Sequence, residues 1–318
     1  MLNKTQIQTP PAQTDPQINS QNSPQTSVQS NSQVEQARQR LLSLEGVLNR
    51  LIIGHEEAVK GLMLALVARE HIALIGPPGT AKTMLATTAA KLLDARCYVY
   101  LMTRFTVADE IFGPFNIELL IKNNELKRKW SGILRADLVF LDEIFKTNSA
   151  ILNSLLSLMQ ERVVYDGVTG EVIQANLWTL IGASNEVPAD EELQALYDRF
   201  SVRVFMKYLD DDAKLLSALM ARWNSNIEVK PIATMNDVKT LHEYAVALLR
   251  HGKVKDVGEV LKLYHVTATP LIKTLRSKGV IISDRRIIEK FAELYAAYLA
   301  LYGVTPENLM GAVYDVVV

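Results

Sequence analysis

The chain has 318 residues, of which 48% are apolar, and its 34 Lys and Arg residues nearly balance its 35 Asp and Glu residues. This composition excludes a disordered or fibrous protein and provides enough apolar surface for one large domain or two smaller ones. The near-zero net charge gives no general attraction to nucleic acid or to an anionic membrane. A single cysteine, Cys97, excludes an intramolecular disulfide and a Cys-cluster metal site. We therefore expect a protein of the reducing cytoplasm.

The N-terminal segment differs in composition from the rest of the chain. Residues 1–34 are mostly Gln, Asn, Ser, Thr and Pro, and only Lys4 and Asp15 are charged. Such a segment buries too little apolar surface to offset its ordering entropy, which predicts a disordered tail. No apolar run reaches the ~20 residues that a membrane helix needs, and no targeting segment is visible. We expect no membrane insertion.

The remainder alternates between helical and β-type patterns. Helical spacing of apolar residues begins at Glu35, and further helices are predicted at 56–69, 82–93 and 149–161. Five mostly apolar runs predict strands, at 71–75, 96–102, 137–141, 177–183 and 202–208. Strands without polar alternation are buried on both faces, which predicts a parallel sheet between helical layers. The α/β core is expected to span 35–209.

Beyond Leu209 the β-type patterns nearly vanish. Helical periodicity covers 211–223, 236–250, 257–278 and 283–302. Residues 210–318 are therefore predicted to form a small, all-helical second domain.

The strongest motif follows the first predicted strand and precedes a helix. It is a P-loop, in which backbone N–H groups cradle phosphate, Lys82 reaches the terminal phosphates and the Thr83 hydroxyl ligates Mg²⁺. Ala81 stands where glycine is usual, and it permits close approach of the backbone if its φ is negative. The predicted nucleotide-binding residues here are Gly76, Pro77, Pro78, Gly79, Thr80, Ala81, Lys82, Thr83 and Met84.

Polar side chains end two later strands of the predicted sheet. Asp142 and Glu143 follow four apolar residues, at the edge where open α/β sheets bind ligands. Asp142 suits the Mg²⁺ shell and Glu143 suits the base that polarises the attacking water. Asn185 ends the next strand and is expected to contact both the γ-phosphate and that water.

Two arginines complete the candidate set. Arg199 precedes the last strand and Arg285 opens a helix of the second domain. Guanidinium groups stabilise charge on a transferring phosphoryl group, from the same chain or from a neighbour. Each arginine taken alone is also consistent with an ordinary surface ion pair.

Together these motifs resemble the AAA+ ATPases and, within them, the MoxR family, in particular its RavA-like branch. The resemblance covers residue 35 to the end. It also rests on IGHEE at 53–57, on the segments 102–114, 140–146 and 151–156, on ASNE at 183–186 and on ALYDRF at 195–200.

The resemblance implies a role for each matching residue. Lys82 and Thr83 would be Walker A, Asp142 and Glu143 Walker B, Asn185 sensor 1, Arg199 the arginine finger of the neighbouring subunit, and Arg285 sensor 2 in a C-terminal lid. Ile53 and Gly54 would lie against the adenine of ATP. Residues 105–124 resemble the family's helix-2 insert, and 162–175 its pre-sensor-1 hairpin.

The family also implies an assembly and partners. A finger that acts in a neighbour requires a ring, usually a hexamer, and such proteins are chaperone-like remodellers that work with partners carrying a von Willebrand factor A (vWA) domain. Two alternatives stay open: a DNA-directed motor of the same clade, and an ATP-gated scaffold with little turnover. The near-neutral net charge argues against the DNA-directed motor. The sequence also has only one notable basic cluster, at Lys122 and residues 127–129.

Overall fold

A computed structural model describes residues 24–224, 229–254, 258–280 and 282–317. The helices are α1 (Pro24–Leu51), α2 (Glu56–Ala68), α3 (Lys82–Leu92), α4 (Ala108–Phe112), α5 (Ile117–Asn123), α6 (Ser149–Gln160), α7 (Glu191–Tyr197), α8 (Asp212–Asn224), α9 (Met235–His251), α10 (Val260–Ser277), α11 (Phe291–Tyr302) and α12 (Pro306–Val317). The strands are β1 (Ile72–Ile75), β2 (Cys97–Leu101), β3 (Leu138–Asp142), β4 (Val163–Tyr165), β5 (Val172–Gln174), β6 (Thr179–Ser184), β7 (Val202–Phe205), β8 (Lys253–Val254) and β9 (Gly258–Glu259).

Five strands form one parallel sheet in the order β2-β3-β6-β1-β7. The predicted five-stranded parallel sheet is confirmed, and each strand lies within or next to its predicted range. Because the strands are parallel, their final residues share one edge, which we name the carboxyl edge. Their first residues share the opposite edge, which we name the amino edge.

Both faces of the sheet are covered, as the apolar strands predicted. Alternate strand residues enter two separate apolar clusters. Ile72, Leu74, Leu138, Phe140 and Ile181 belong to a cluster with α2 and α3. Ala73, Ile75, Val139, Leu141 and Leu180 belong to a cluster with α6 and the β4–β5 hairpin. This is the predicted three-layer α/β/α core.

The predicted tail reaches too far along the chain. Helix α1 begins at Pro24, so the end of the predicted 1–34 segment is helical, while residues 1–23 lie outside the described residues. Proline is favoured at a first helical position because its missing N–H needs no partner there. Extending an existing helix is also much cheaper than nucleating one. From Ala37 onward, α1 buries an apolar stripe against α9, α2 and α11.

The C-terminal region is helical, as expected, with one addition. A two-stranded antiparallel ladder, β8 with β9, lies between α9 and α10. Helix α11 packs against both α9 and α2, so one continuous apolar cluster joins this region, which we name the lid, to the core. Residues Arg286–Lys290, before α11, form a π-helical turn. Among the described residues, every helix is too short or too polar to cross a membrane.

Candidate active site

The P-loop joins β1 at the carboxyl edge to α3. Gly76 donates its N–H to Ser184 O at 3.0 Å, and a Cβ added there would lie 2.1 Å from Met206 O, so only glycine fits between β6 and β7. Lys82 is buried, and its Nζ donates to Gly76 O at 2.5 Å and to Pro77 O at 2.9 Å. Burial lowers the pKa of Lys82, while the nearby carboxylates of the site raise it. The lysine thus lies folded against its own loop.

Ala81 adopts a conformation that the sequence analysis did not anticipate. Its φ is +63° and its ψ is 19°, in the left-handed region, whereas a tolerable alanine was expected to have a negative φ. Ala81 is the residue that caps α3, and its carbonyl accepts the first helical bond, from Leu85 N at 2.9 Å. The left-handed turn aims the chain from the loop into the helix, which is why glycine is the usual residue here.

The two predicted Walker B carboxylates and Asn185 come together at the carboxyl edge. Asn185 Nδ2 donates to Glu143 Oε1 at 2.7 Å, and Lys146 Nζ lies 3.4 Å from the other carboxylate oxygen. Glu143 itself has a left-handed φ of 53°, and its N–H donates to Asp142 Oδ1 at 3.0 Å. Adjacent strands β3 and β6 position this group, as the chain order of the motifs predicted.

These residues share one cavity with the P-loop. The cavity has a volume of about 480 Å³. Its lining residues are Pro78, Gly79, Thr80, Ala81, Lys82, Thr83, Met84, Asp142, Glu143 and Asn185. The set fits a nucleotide phosphate with Mg²⁺, because a lysine and helix N–H groups meet anionic oxygens while Thr83 and Asp142 supply hard oxygen ligands. Thr83 is exposed and Asp142 is half-buried, so both face open space.

A second cavity of about 410 Å³ adjoins the first through Gly79, Thr80, Ala81 and Met84. Its other walls include Ile53, Tyr208 and, from α8 of the lid, Ala218 and Arg222. Gly54 lies beside this cavity with φ +81°, and a Cβ there would meet the Leu209 side chain at 2.2 Å. Ile53 was predicted to lie against the adenine, and it shares this cavity with the P-loop. Tyr208 and Arg222 were missed, because nothing in the local sequence marks them.

Arg199 lies at the amino edge, away from both cavities. It precedes β7, whose four residues span roughly 13 Å before the carboxyl edge is reached. Its Nε is buried and has no hydrogen-bond partner among the described residues. An arginine in this place cannot reach the P-loop of its own chain.

Arg285 is also absent from the lining of both cavities. Its Nε donates to Glu289 at 3.0 Å, and its side chain is 46% exposed. Its neighbour Arg286 is nearly buried and donates to Ser201 O at 2.9 Å, so Arg285 lies near the amino edge, like Arg199. The structure therefore groups the two predicted arginines with each other and separates them from the P-loop.

The predicted insert and hairpin are both present as local structures. Residues 105–124 contain α4 and α5, and β4 pairs with β5 in antiparallel register. Arg128 ties the two together: its side chain is 8% exposed and pairs with Asp109 and, at 3.0 Å, with Asp166. The apparent basic cluster is thus partly internal, and Lys127 pairs with Glu125 at 3.0 Å.

Comparison with known proteins identifies the family of this chain and a solved structure with the same fold. A family model described as the MoxR domain in the MoxR-vWA-beta-propeller ternary systems matches residues 39–245. A crystal structure from Cytophaga hutchinsonii, of a protein proposed to be an ATPase, superposes with a TM-score of 0.70. It covers 92% of this chain and 89% of that chain at 20% identity, a level that supports the fold alone.

Relatives are also found by sequence. Two uncharacterized proteins of Methanocaldococcus jannaschii are 35% and 32% identical over 75% and 78% of this chain. The chain spans only 60% and 61% of their lengths. The RuvB subunit of the Holliday junction branch migration complex of Thermotoga petrophila is 25% identical over 76% of this chain and 73% of that protein.

Proposed function

The chain belongs to the MoxR family of AAA+ ATPases, and from this premise we propose that it hydrolyses ATP with Mg²⁺ and uses the turnover to remodel a protein partner. The observation that carries the proposal is the hydrogen bond from Asn185 to Glu143 on the rim of the P-loop cavity. It places a carboxylate base and an amide donor side by side, opposite the phosphate cradle.

Each side chain has a part in this proposal. Lys82 leaves the carbonyls of its own loop and binds the terminal phosphates. Glu143 accepts a proton from the attacking water, and Asn185 fixes the carboxylate in place for this transfer. Thr83 and Asp142 would hold Mg²⁺, which supplies charge neutralisation on the phosphates when bound.

The adenine is proposed to enter the second cavity, against Ile53. Arg222 and Ala218 of α8 form part of its wall, so the bound base would touch the core and the lid together. Nucleotide binding would then draw α8 toward the core, and the rest of the lid would move with α8.

Arg199 and Arg285 are proposed to act on the nucleotide of a neighbouring subunit. Both lie near the amino edge, and Arg199 is separated from its own P-loop by the length of β7. A complete site then needs two chains, which supports a closed ring, in the family usually a hexamer. Such a ring would have one site at each interface.

A vWA-domain protein is the partner we propose. The support is the matching family description, which names MoxR-vWA-beta-propeller systems. RuvB, a subunit of a DNA branch migration complex, is a relative at 25% identity, so a DNA-directed function is the second candidate. The basic cluster near 122–129 gives little support to a DNA-directed function, because Arg128 and Lys127 are already paired with acidic side chains.

The test is ATP turnover by the purified protein and by Glu143→Gln. Glutamine preserves the size of the side chain and its bond to Asn185 but cannot accept a proton, so we expect ATP affinity to stay and turnover to fall by roughly 10² or more. Glu307→Gln, at an exposed position in α12, is the matched control. Wild-type turnover in Glu143→Gln contradicts the catalytic assignment, and negligible turnover of the wild type favours an ATP-gated scaffold.

A further inference from the structure

The segment 197–201, which we name the finger loop, joins α7 to β7 and carries Arg199. Arg203, from β7 itself, binds this loop from the core side. Its Nε donates to Phe200 O at 3.2 Å and its Nη2 donates to Tyr197 O at 3.1 Å. Since no hydrogen bond fixes the buried Nε of Arg199, the backbone that carries this side chain contributes to the position of its guanidinium.

A second arginine binds the same loop from the lid. Arg286 donates from Nη2 to Ser201 O at 2.9 Å, and from Nη1 to Phe200 O at 3.3 Å and Asp198 O at 3.5 Å. Its side chain is only 12% exposed. The planar guanidinium thus holds backbone carbonyls on both sides of Arg199, a task that needs several donors in one plane.

The π-helical turn that begins at Arg286 makes a second contact with this loop. At its end, Lys290 Nζ lies 2.6 Å from Glu70 Oε1, and the other oxygen of Glu70 accepts a hydrogen bond from the Ser201 hydroxyl. Both ends of the turn therefore contact the finger loop, Arg286 directly and Lys290 through Glu70. π-helical turns are rare and occur frequently at functional sites.

We propose that Arg286 is a positioning residue for Arg199, so that the lid of one subunit sets the finger that acts on its neighbour. The inference rests on the proposed role of Arg199 in trans. When the lid shifts, Arg286 moves relative to Arg203, which stays with the sheet, and the finger loop held between them changes its position. A displacement of about 1 Å in such a group can cost roughly 10²-fold in rate.

The test is Arg286→Gln, measured by steady-state ATP turnover. We expect kcat to fall about 10- to 100-fold with an unchanged KM for ATP, because Arg286 lines neither cavity of its own chain. Mixing these subunits equally with Lys82→Ala subunits supplies intact fingers to intact P-loops at about a quarter of the interfaces, so turnover should rise above that of either variant alone. If Arg286→Gln instead damaged the P-loop site of its own subunit, intact fingers from the other subunits would not raise turnover.

Two further variants complete the design. Arg276→Gln is the matched control, because Arg276 is likewise a lid arginine that binds a backbone carbonyl, but its acceptor, Ile282 O at 3.0 Å, belongs to the lid and not to the finger loop, so this variant should keep wild-type kcat. Arg286→Lys keeps the charge and one bond, so it should lie between wild type and Arg286→Gln, and it carries the test should Arg286→Gln fail to fold. Wild-type kcat in the Arg286 variants, or a deficit that mixing does not rescue, overturns the inference. An inactive wild type, or a fully active Arg199→Ala, overturns the proposed function and with it this inference.

Discussion

Ala81→Gly should stabilise the protein, although glycine destabilises the interior of a helix. Ala81 has φ +63°, a conformation that costs an L-residue with a Cβ about 1–2 kcal/mol. Glycine removes that cost but loses about 0.5–1 kcal/mol more conformational entropy on folding. The difference predicts a gain of about 0.5–1 kcal/mol, or a rise in thermal midpoint of about 1–3 °C.

The assay is thermal unfolding of the nucleotide-free protein, with Ala247→Gly as the matched control. Ala247 is exposed in α9, one turn before the helix ends at His251, in ordinary helical conformation, so the same change there should destabilise by about 1 kcal/mol. The two substitutions are chemically identical and are predicted to have opposite signs. A lowered midpoint for Ala81→Gly would refute the left-handed backbone at this position and the reasoning built on it.

Two further substitutions test the lid and the insert. Burial raises the pKa of Glu293 to about 7, above its unfolded value, so wild-type stability should fall as the pH rises through 7. Glu293→Gln should therefore be more stable than wild type by about 1–2 kcal/mol at pH 8 and nearly equal to it at pH 5; this magnitude is reduced because the Glu293 side chain is 39% exposed and solvent screens its charge. Arg128→Ala leaves the buried Asp166 with its backbone N–H donors but without a cationic partner, and it should cost about 3 kcal/mol in urea unfolding. The exposed Lys127→Ala should cost less than about 0.5 kcal/mol.

The sequence was sufficient to predict which residues meet at the site wherever a motif is contiguous and chain order fixes its place in a parallel sheet. The P-loop, the carboxylates after β3 and Asn185 after β6 must share one edge once the strands are parallel and adjacent. Their meeting in one cavity therefore followed from the pattern alone. The hairpin at 162–175 was predicted from the family resemblance and from its Asp166-Gly167 and Thr169-Gly170 turns, and β4 pairs with β5 there.

The rest depends on contacts between segments far apart in the chain. Nothing local to Arg286 distinguishes it from Arg285, yet only Arg286 turns inward to the carbonyls of the finger loop. Arg128 was read as part of a basic surface, but Asp109 and Asp166 enclose it. The φ of Ala81 is likewise set by the path of the loop rather than by alanine's own preference.

The shared site is tested most directly by mixing Lys82→Ala subunits with Arg199→Ala subunits and measuring ATP turnover. Each variant alone lacks either the phosphate-binding lysine or the finger at every site and should be nearly inactive. In a randomly mixed ring, about a quarter of the interfaces pair an intact Lys82 with an intact Arg199, so turnover should recover toward about a quarter of the wild-type value. A mixture no more active than the two variants measured separately would contradict a site built between two chains.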